Sequence, residues 1–264
     1  MESQFVNFLK LELYYLFQTE STLMKKIIAL IFFSGLILNI HGQKPEETED
    51  WSRKPEVVTP GKGTMPPSDA TILYGGAGDL DKWESEREGP AKWTAGEELT
   101  AAARTGGIKT KQSFGDMQLH IEWRSPAEVK GDGQGRGNSG IFLMGLYEVQ
   151  VLDSYDNLTY YNGQAGSIYK QTIPLVNACR PPGEWQAYDI IFKAPVFNED
   201  GSKLSSGYVS VIHNGVLIQN HVEILGTTEY IGAPKNIAHP DKLPISLQDH
   251  GNPVSYRNIW VRPL

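Results

Sequence analysis

Between Ser68 and Leu264 the chain is interrupted every few residues by Gly, Asn, Asp or Pro, and the apolar residues between the breaks recur at a spacing of two. Leu119, Ile121 and Trp123, for example, alternate with His120, Glu122 and Arg124. A strand points successive side chains to opposite faces, so a run of this kind buries one face and wets the other. Comparable runs lie at 71–74, 93–95, 98–102, 107–109, 117–124, 139–144, 148–152, 167–169, 186–193, 208–213, 216–219, 245–248 and 256–262. No helical apolar stripe competes with them. The pattern restricts the chain to an all-β fold, and about a dozen short strands in roughly 200 residues predict a two-sheet antiparallel sandwich or jelly roll. His213-Asn214-Gly215-Val216 predicts a hairpin, because Asn-Gly supplies the two positive φ values that a type I′ turn requires.

One stretch points to a site. In Tyr147-Glu148-Val149-Gln150-Val151-Leu152-Asp153-Ser154, Glu148 and Gln150 share one strand face while Tyr147, Val149 and Val151 share the other. Two unlike polar groups aligned over a core face, on a strand expected in mid-sheet, predict a cleft across that side of the sheet. Asp153 is five residues from Glu148, so a regular strand turns the two carboxylates to opposite sides. A bulge near Val151-Leu152 would reunite them; otherwise Asp153 is a turn residue bonded to its own backbone.

Composition narrows the partners. The net charge is −7 and Lys and Arg are not clustered, which argues against nucleic acid and for an uncharged or polar substrate. Residues 24–42 have two lysines, an apolar run of 12 residues from Ile27 to Leu38 and a small-residue end, the layout of a secretory signal peptide. The run falls short of the roughly 20 residues of a transmembrane helix. The expectation is an exported chain, periplasmic or extracellular, without a transmembrane segment after processing. Met24 is the better start for this signal, so residues 1–23 read as an upstream misassignment of the reading frame or, alternatively, as an extended n-region of the signal. Residues 43–67 read as a Pro-rich linker and 68–264 as the folded domain. Cys179 is the only cysteine, which excludes an internal disulfide and a Cys-based metal site.

The run Gly137-Asn138-Ser139-Gly140-Ile141-Phe142-Leu143 followed by Tyr147 to Ser154 resembles the 3-keto-disaccharide hydrolase domain family. Phe114 to Arg124, Pro182-Gly183-Glu184-Trp185-Gln186-Ala187-Tyr188-Asp189-Ile190, the Asn214-Gly215 hairpin, and Ile245 to Val254 with Tyr256-Arg257-Asn258-Ile259 resemble it in the same order. The opening departs from the family pattern through extra glycines in Leu73-Tyr74-Gly75-Gly76-Ala77-Gly78-Asp79-Leu80-Asp81-Lys82-Trp83. The resemblance implies a concanavalin-like jelly roll, an exported protein of carbohydrate-degrading bacteria, and cleavage of the glycosidic bond in a sugar oxidised at carbon 3.

Such a sugar has an acidified hydrogen at carbon 2, so elimination of the carbon 1 substituent followed by hydration needs a base, an acid and a group that polarises the ketone. Glu148, Asp153 and His250 are the catalytic candidates, with His250 in a loop directly after a strand. Glu122, Arg124, Arg136, Asn138, Gln150, Lys170, Gln248 and Arg257 are the candidates for holding sugar oxygens or an enolate. Glu122 and Arg124 also read as structural, paired with each other or with a neighbouring strand. Direct displacement by two carboxyls stays open beside elimination. So do a non-catalytic carbohydrate-binding module and a glycosidase for an unoxidised glycan. No two histidines have ligand-like local spacing, so no cofactor is firmly implied, although carboxylates, Gln and His leave room for a divalent metal.

Overall fold

The computed structural model describes residues 44–264 together with Thr22, Met24 and Lys26. Apart from those three residues, the expected signal segment and upstream extension lie outside the described residues. The chain forms two compact units, Met1–Glu56 and Val57–Leu264. In the first, Pro45–Thr48 is a short 3-10 turn started by Pro45, whose fixed φ suits that position.

In chain order, the first strands of the second unit are β1 (Thr71–Tyr74), β2 (Trp83–Ser85), β3 (Thr94–Ala95), β4 (Leu99–Thr100), β5 (Ile108–Phe114), β6 (Met117–Arg124), β7 (Ser139–Leu143) and β8 (Tyr147–Val151). They are followed by β9 (Gln186–Lys193), β10 (Val196–Phe197), β11 (Lys203–Ser205), β12 (Gly207–His213), β13 (Val216–Ile224), β14 (Leu243–Leu247) and β15 (Ser255–Pro263). One antiparallel sheet runs β13-β12-β9-β6-β15-β4-β3, with β1 also paired to β15, and a second runs β2-β5-β14-β7-β8. This is the predicted all-β sandwich. Its core is the set of inward residues that the alternation singles out: Leu119, Ile121, Trp123, Ile190 and Phe192 from the large sheet, and Ile141, Tyr147, Val149, Val151, Ile245 and Leu247 from the small one. Tyr188 of the large sheet reaches across it, its hydroxyl donating to Gln150 O at 3.0 Å. The β12–β13 turn has Asn214 at φ 52° and Gly215 at φ 84°, as the Asn-Gly pair requires.

Several expectations change. β8 is not in mid-sheet but ends the small sheet, and its free edge is covered by a loop that bonds Gln150 N to Ser167 O and Tyr169 N to Glu148 O. That loop, expected as a strand at 167–169, makes only isolated bridges, because Gly166 and Lys170 bracket it with positive φ and turn the chain within a few residues. β2, β10 and β11 were not expected, and β13 runs on to Ile224 through exposed polar residues that hide the alternation. Residues 57–67, expected as linker, belong to the folded unit: Thr64 lies on the outside of the large sheet and accepts from Trp260 Nε1.

Candidate active-site cleft

The outer face of the small sheet forms the floor of a cleft of about 530 Å³. Register places it. β7 and β8 pair without a break from Leu143↔Tyr147 to Ser139↔Val151, so Gly140, Phe142, Glu148 and Gln150 all turn away from the core. Gln248 follows β14 on the same side, and His250 stands two residues further on. Loops supply the walls: Gln134 and Asn138 on one side, Tyr160, Tyr169 and Lys170 on another, Thr228 and Tyr230 on a third. Thr228 is tied to the floor strand, its Oγ1 accepting from Glu148 N at 2.9 Å.

Glu148 is the carboxylate in this lining, and it is only 4% exposed. It lies over Gly140, where an added Cβ would stand 2.5 Å from its Oε1, so only glycine leaves room for the carboxyl. No salt bridge reaches it among the described residues, and burial pushes its pKa from 4.5 up to about 8. At neutral pH Glu148 is therefore a carboxylic acid, a donor rather than a base. The Tyr160 and Tyr169 hydroxyls are 2.6 Å apart, and burial, with that hydrogen bond, pushes the Tyr169 phenol up. Lys170 Nζ stands 4.3 Å from the Tyr230 ring centroid and 5.6 Å from those of Tyr160 and Tyr169, and it donates to Tyr230 O. His250 is exposed, and no described group holds its ring. Among the described residues no group of three or more His, Cys, Asp and Glu side chains is arranged to hold a metal ion.

The structure thus brings together six of the predicted site residues, namely Glu148, Gln150, Asn138, Lys170, Gln248 and His250. It does not bring the other five. β8 ends at Val151 without the bulge, so the parity argument holds and Asp153 turns away. Its carboxylate accepts from Arg136 Nε at 2.7 Å and from Tyr155 N at 3.2 Å, the turn role, and Asp153 and Arg136 line a separate cavity of about 270 Å³. Glu122, Arg124 and Arg257 lie on the outer face of the large sheet. Arg257 donates to Glu122 at 2.6 Å, Arg124 donates to both Glu98 oxygens, and the two guanidinium groups stack on Trp185 at 4.0 and 4.7 Å. Glu122 is thus paired to the neighbouring strand β15 and Arg124 to Glu98, rather than to each other.

The sequence reading missed Gln134, Phe142, Tyr160, Tyr169, Thr228 and Tyr230. Phe142 was within reach, since it has the parity of Gly140. The tyrosines sit in loops, where exposed aromatics are the available signal: Tyr230 is 72% and Tyr160 40% exposed.

A family model described as the 3-keto-alpha-glucoside-1,2-lyase-like domain matches residues 69–262. The chain is similar to the crystal structure, at 2.13 Å resolution, of a candidate glycosyl hydrolase from Parabacteroides distasonis ATCC 8503: 52% identity, a TM-score of 0.81, and coverage of 86% of this chain and 99% of that one. A second candidate glycosyl hydrolase from the same strain shares the fold at 19% identity and a TM-score of 0.54, over 74% of this chain and 94% of its own. No curated protein matches the chain. The sandwich, its outward glutamate and the match over residues 69–262 have one conclusion: the chain belongs to the 3-keto-alpha-glucoside-1,2-lyase-like domain family.

Proposed function

We propose that the cleft cleaves the glycosidic bond of a 3-keto-glycoside by elimination across carbons 1 and 2. The observation that carries this reading is Glu148, a buried carboxylic acid kept neutral without a cation and facing the same cleft as an exposed imidazole. Direct displacement in the common manner needs two carboxyl groups flanking the bond. The cleft lining contains one.

The sugar ring lies on the floor and the aglycone, which must leave, points to the open mouth between Tyr160 and Tyr230. This orientation sets the ketone oxygen against Glu148. His250 removes the carbon 2 proton, and the electron pair moves toward the ketone as an enolate. The Glu148 acid donates to that oxygen where charge develops, as a neutral carboxylic acid in an apolar site is suited to do. The enolate then re-forms the ketone, carbon 1 becomes doubly bonded to carbon 2, and the carbon 1–oxygen bond breaks. The departing oxygen takes a proton from the cluster of Lys170, Tyr160 and Tyr169. The products are an alcohol and a 1,2-unsaturated 3-ketone, to which water adds to give the free 3-keto sugar. The signal-like residues 24–42 support export before this reaction.

Incubating the purified protein with a 3-keto-glycoside tests the reading, with Glu148→Leu beside it. Cleavage by the wild type that falls by about 10²–10⁴-fold in the variant is the expected result. Binding without cleavage, or cleavage of only the unoxidised glycoside, contradicts it.

A further inference from the structure

The Gln150 side chain stands at the centre of a polar chain that has one acceptor too many. With its NH2 toward Gln134 Oε1 at 2.9 Å and Gly163 O at 3.3 Å, its oxygen stands 3.0 Å from both Ser139 O and Glu148 Oε1. Ser139 O cannot carry a proton, so this arrangement is tolerable only when Glu148 does. With the amide reversed, NH2 donates to Ser139 O and Glu148 Oε1, both at 3.0 Å, which suits an ionised Glu148. The Gln150 oxygen then faces the Gln134 amide at 2.9 Å, and Gln134 must turn its own NH2 toward it. That reversal removes the donation from Gln134 Nε2 to Gly163 O at 2.9 Å. Each arrangement therefore leaves one backbone carbonyl facing oxygen: Ser139 O in the first and, in the second, Gly163 O, which loses the donations of both Gln134 Nε2 and Gln150 Nε2. The first keeps both donations to Gly163 O and suits a protonated Glu148, whereas only the second suits an ionised one, so loss of the Glu148 proton drives the reversal.

We propose that Gln150 is a two-state positioning residue, its amide turning oxygen toward Glu148 when that carboxyl is protonated and NH2 toward it when the carboxyl is ionised. Only the amide moves. The Gln150 backbone is pinned, its carbonyl accepting from Gly166 N at 2.9 Å and from Tyr188 Oη at 3.0 Å. Gly140, the cross-strand partner of Gln150, keeps the Glu148 carboxyl within reach, because a Cβ there would meet Oε1. The other titratable groups facing Glu148 are Tyr169, Tyr160, Tyr230 and Lys170 from the loops, His250 after β14, and Tyr256 of β15, whose hydroxyl bonds Ser139 Oγ beneath the floor. Of the groups within hydrogen-bond reach of the Gln150 amide, namely Gln134, Gly163 O, Ser139 O and Glu148, only Glu148 titrates. In the reaction proposed above, on which this last step rests, the device eases loss of the Glu148 proton as the enolate forms and favours its return.

Two measurements on the full chain test the proposal. In the wild type, the Gln150 side-chain amide 15N and 1H resonances should shift with the same midpoint as the Glu148 carboxyl carbon, and in Glu148→Gln that inflection should vanish. In Gln150→Met, which removes the NH2 that favours the carboxylate, the alkaline limb of the pH–rate profile should move up by about one pH unit. Gln150 resonances that stay flat while Glu148 titrates overturn the proposal, as does an unmoved limb in a folded variant. The resonance test needs no substrate, so it stands apart from the proposed reaction. An inactive wild type with coupled resonances sinks the reaction and keeps the switch.

Discussion

Glu148 and Glu122 are the same residue type with little surface exposed, 4% and 7%, on strands of opposite sheets. Their chemistry diverges. Burial raises Glu148 to about 8, and among the described residues no ion pair counters it. Burial also acts against the Glu122 charge, but hydrogen bonds from Asn258, Arg257 and Thr64 and the Arg257 charge outweigh it and leave the carboxyl below its ordinary value. One sheet face holds a carboxylate hydrogen-bonded by three side chains, and the other holds an acid that meets the Gln150 amide on the floor of the cleft. The difference shows that partners, acting together with the depth of burial, separate a structural carboxylate from a reactive one.

The largest expected contrast is in turnover. Glu148→Leu should lower kcat on a 3-keto-glycoside by about 10²–10⁴-fold, whereas Glu122→Gln should leave it within about threefold. Glu148→Gln, which keeps an N–H donor at the ketone oxygen, should retain more activity than Glu148→Leu. Steady-state kinetics on the three variants decide the matter, and equal losses from Glu122 and Glu148 would break the comparison.

Stability should move the opposite way. A protonated buried acid resists ionisation, so Glu148→Gln should stabilise the fold at pH 8 by on the order of 2 kcal/mol, read as a higher urea midpoint. Glu122→Gln should destabilise it by about 1–2 kcal/mol, a range kept low because Arg257 is 43% exposed. The two residues also oppose each other in pH. Glu148 has a raised pKa, so its contribution is full below 4.5 and is lost as pH rises toward about 8. Glu122 has a lowered one, so its contribution is present above 4.5 and is lost as pH falls below that value. Urea titrations of the wild type and both Gln variants across this range should show slopes of opposite sign.

The smallest effect probes placement. Gly140→Ala sets a methyl 2.5 Å from Glu148 Oε1 and 2.9 Å from Phe142, and should cost about tenfold in kcat with little change in global stability. Unchanged turnover would show that the carboxyl need not lie over Gly140.

The part of this that is legible in the sequence is the part that parity governs. Alternation alone separates Glu148 and Gln150 from the core and turns Asp153 aside, whereas the choice between a bulge and a turn after Gln150 had no local signal. What alternation cannot show is which polar face stays free. Glu122 with Arg124 looks no different from Glu148 with Gln150 until the chain brings Arg257, 135 residues later, onto the first pair. The cleft walls were equally hidden, because Tyr160, Tyr169 and Tyr230 belong to loops that meet only once the sheets close. The covering of the β8 edge by residues around Ile168 likewise depends on bonds across the fold.

The most direct test of the account follows the hydrogen at carbon 2. A 3-keto-glycoside carrying deuterium there should be cleaved with a primary isotope effect, releasing the label to solvent and forming a 1,2-unsaturated 3-ketone before hydration. Cleavage that keeps the deuterium, with no isotope effect and no unsaturated intermediate, would contradict the elimination and the role given to Glu148.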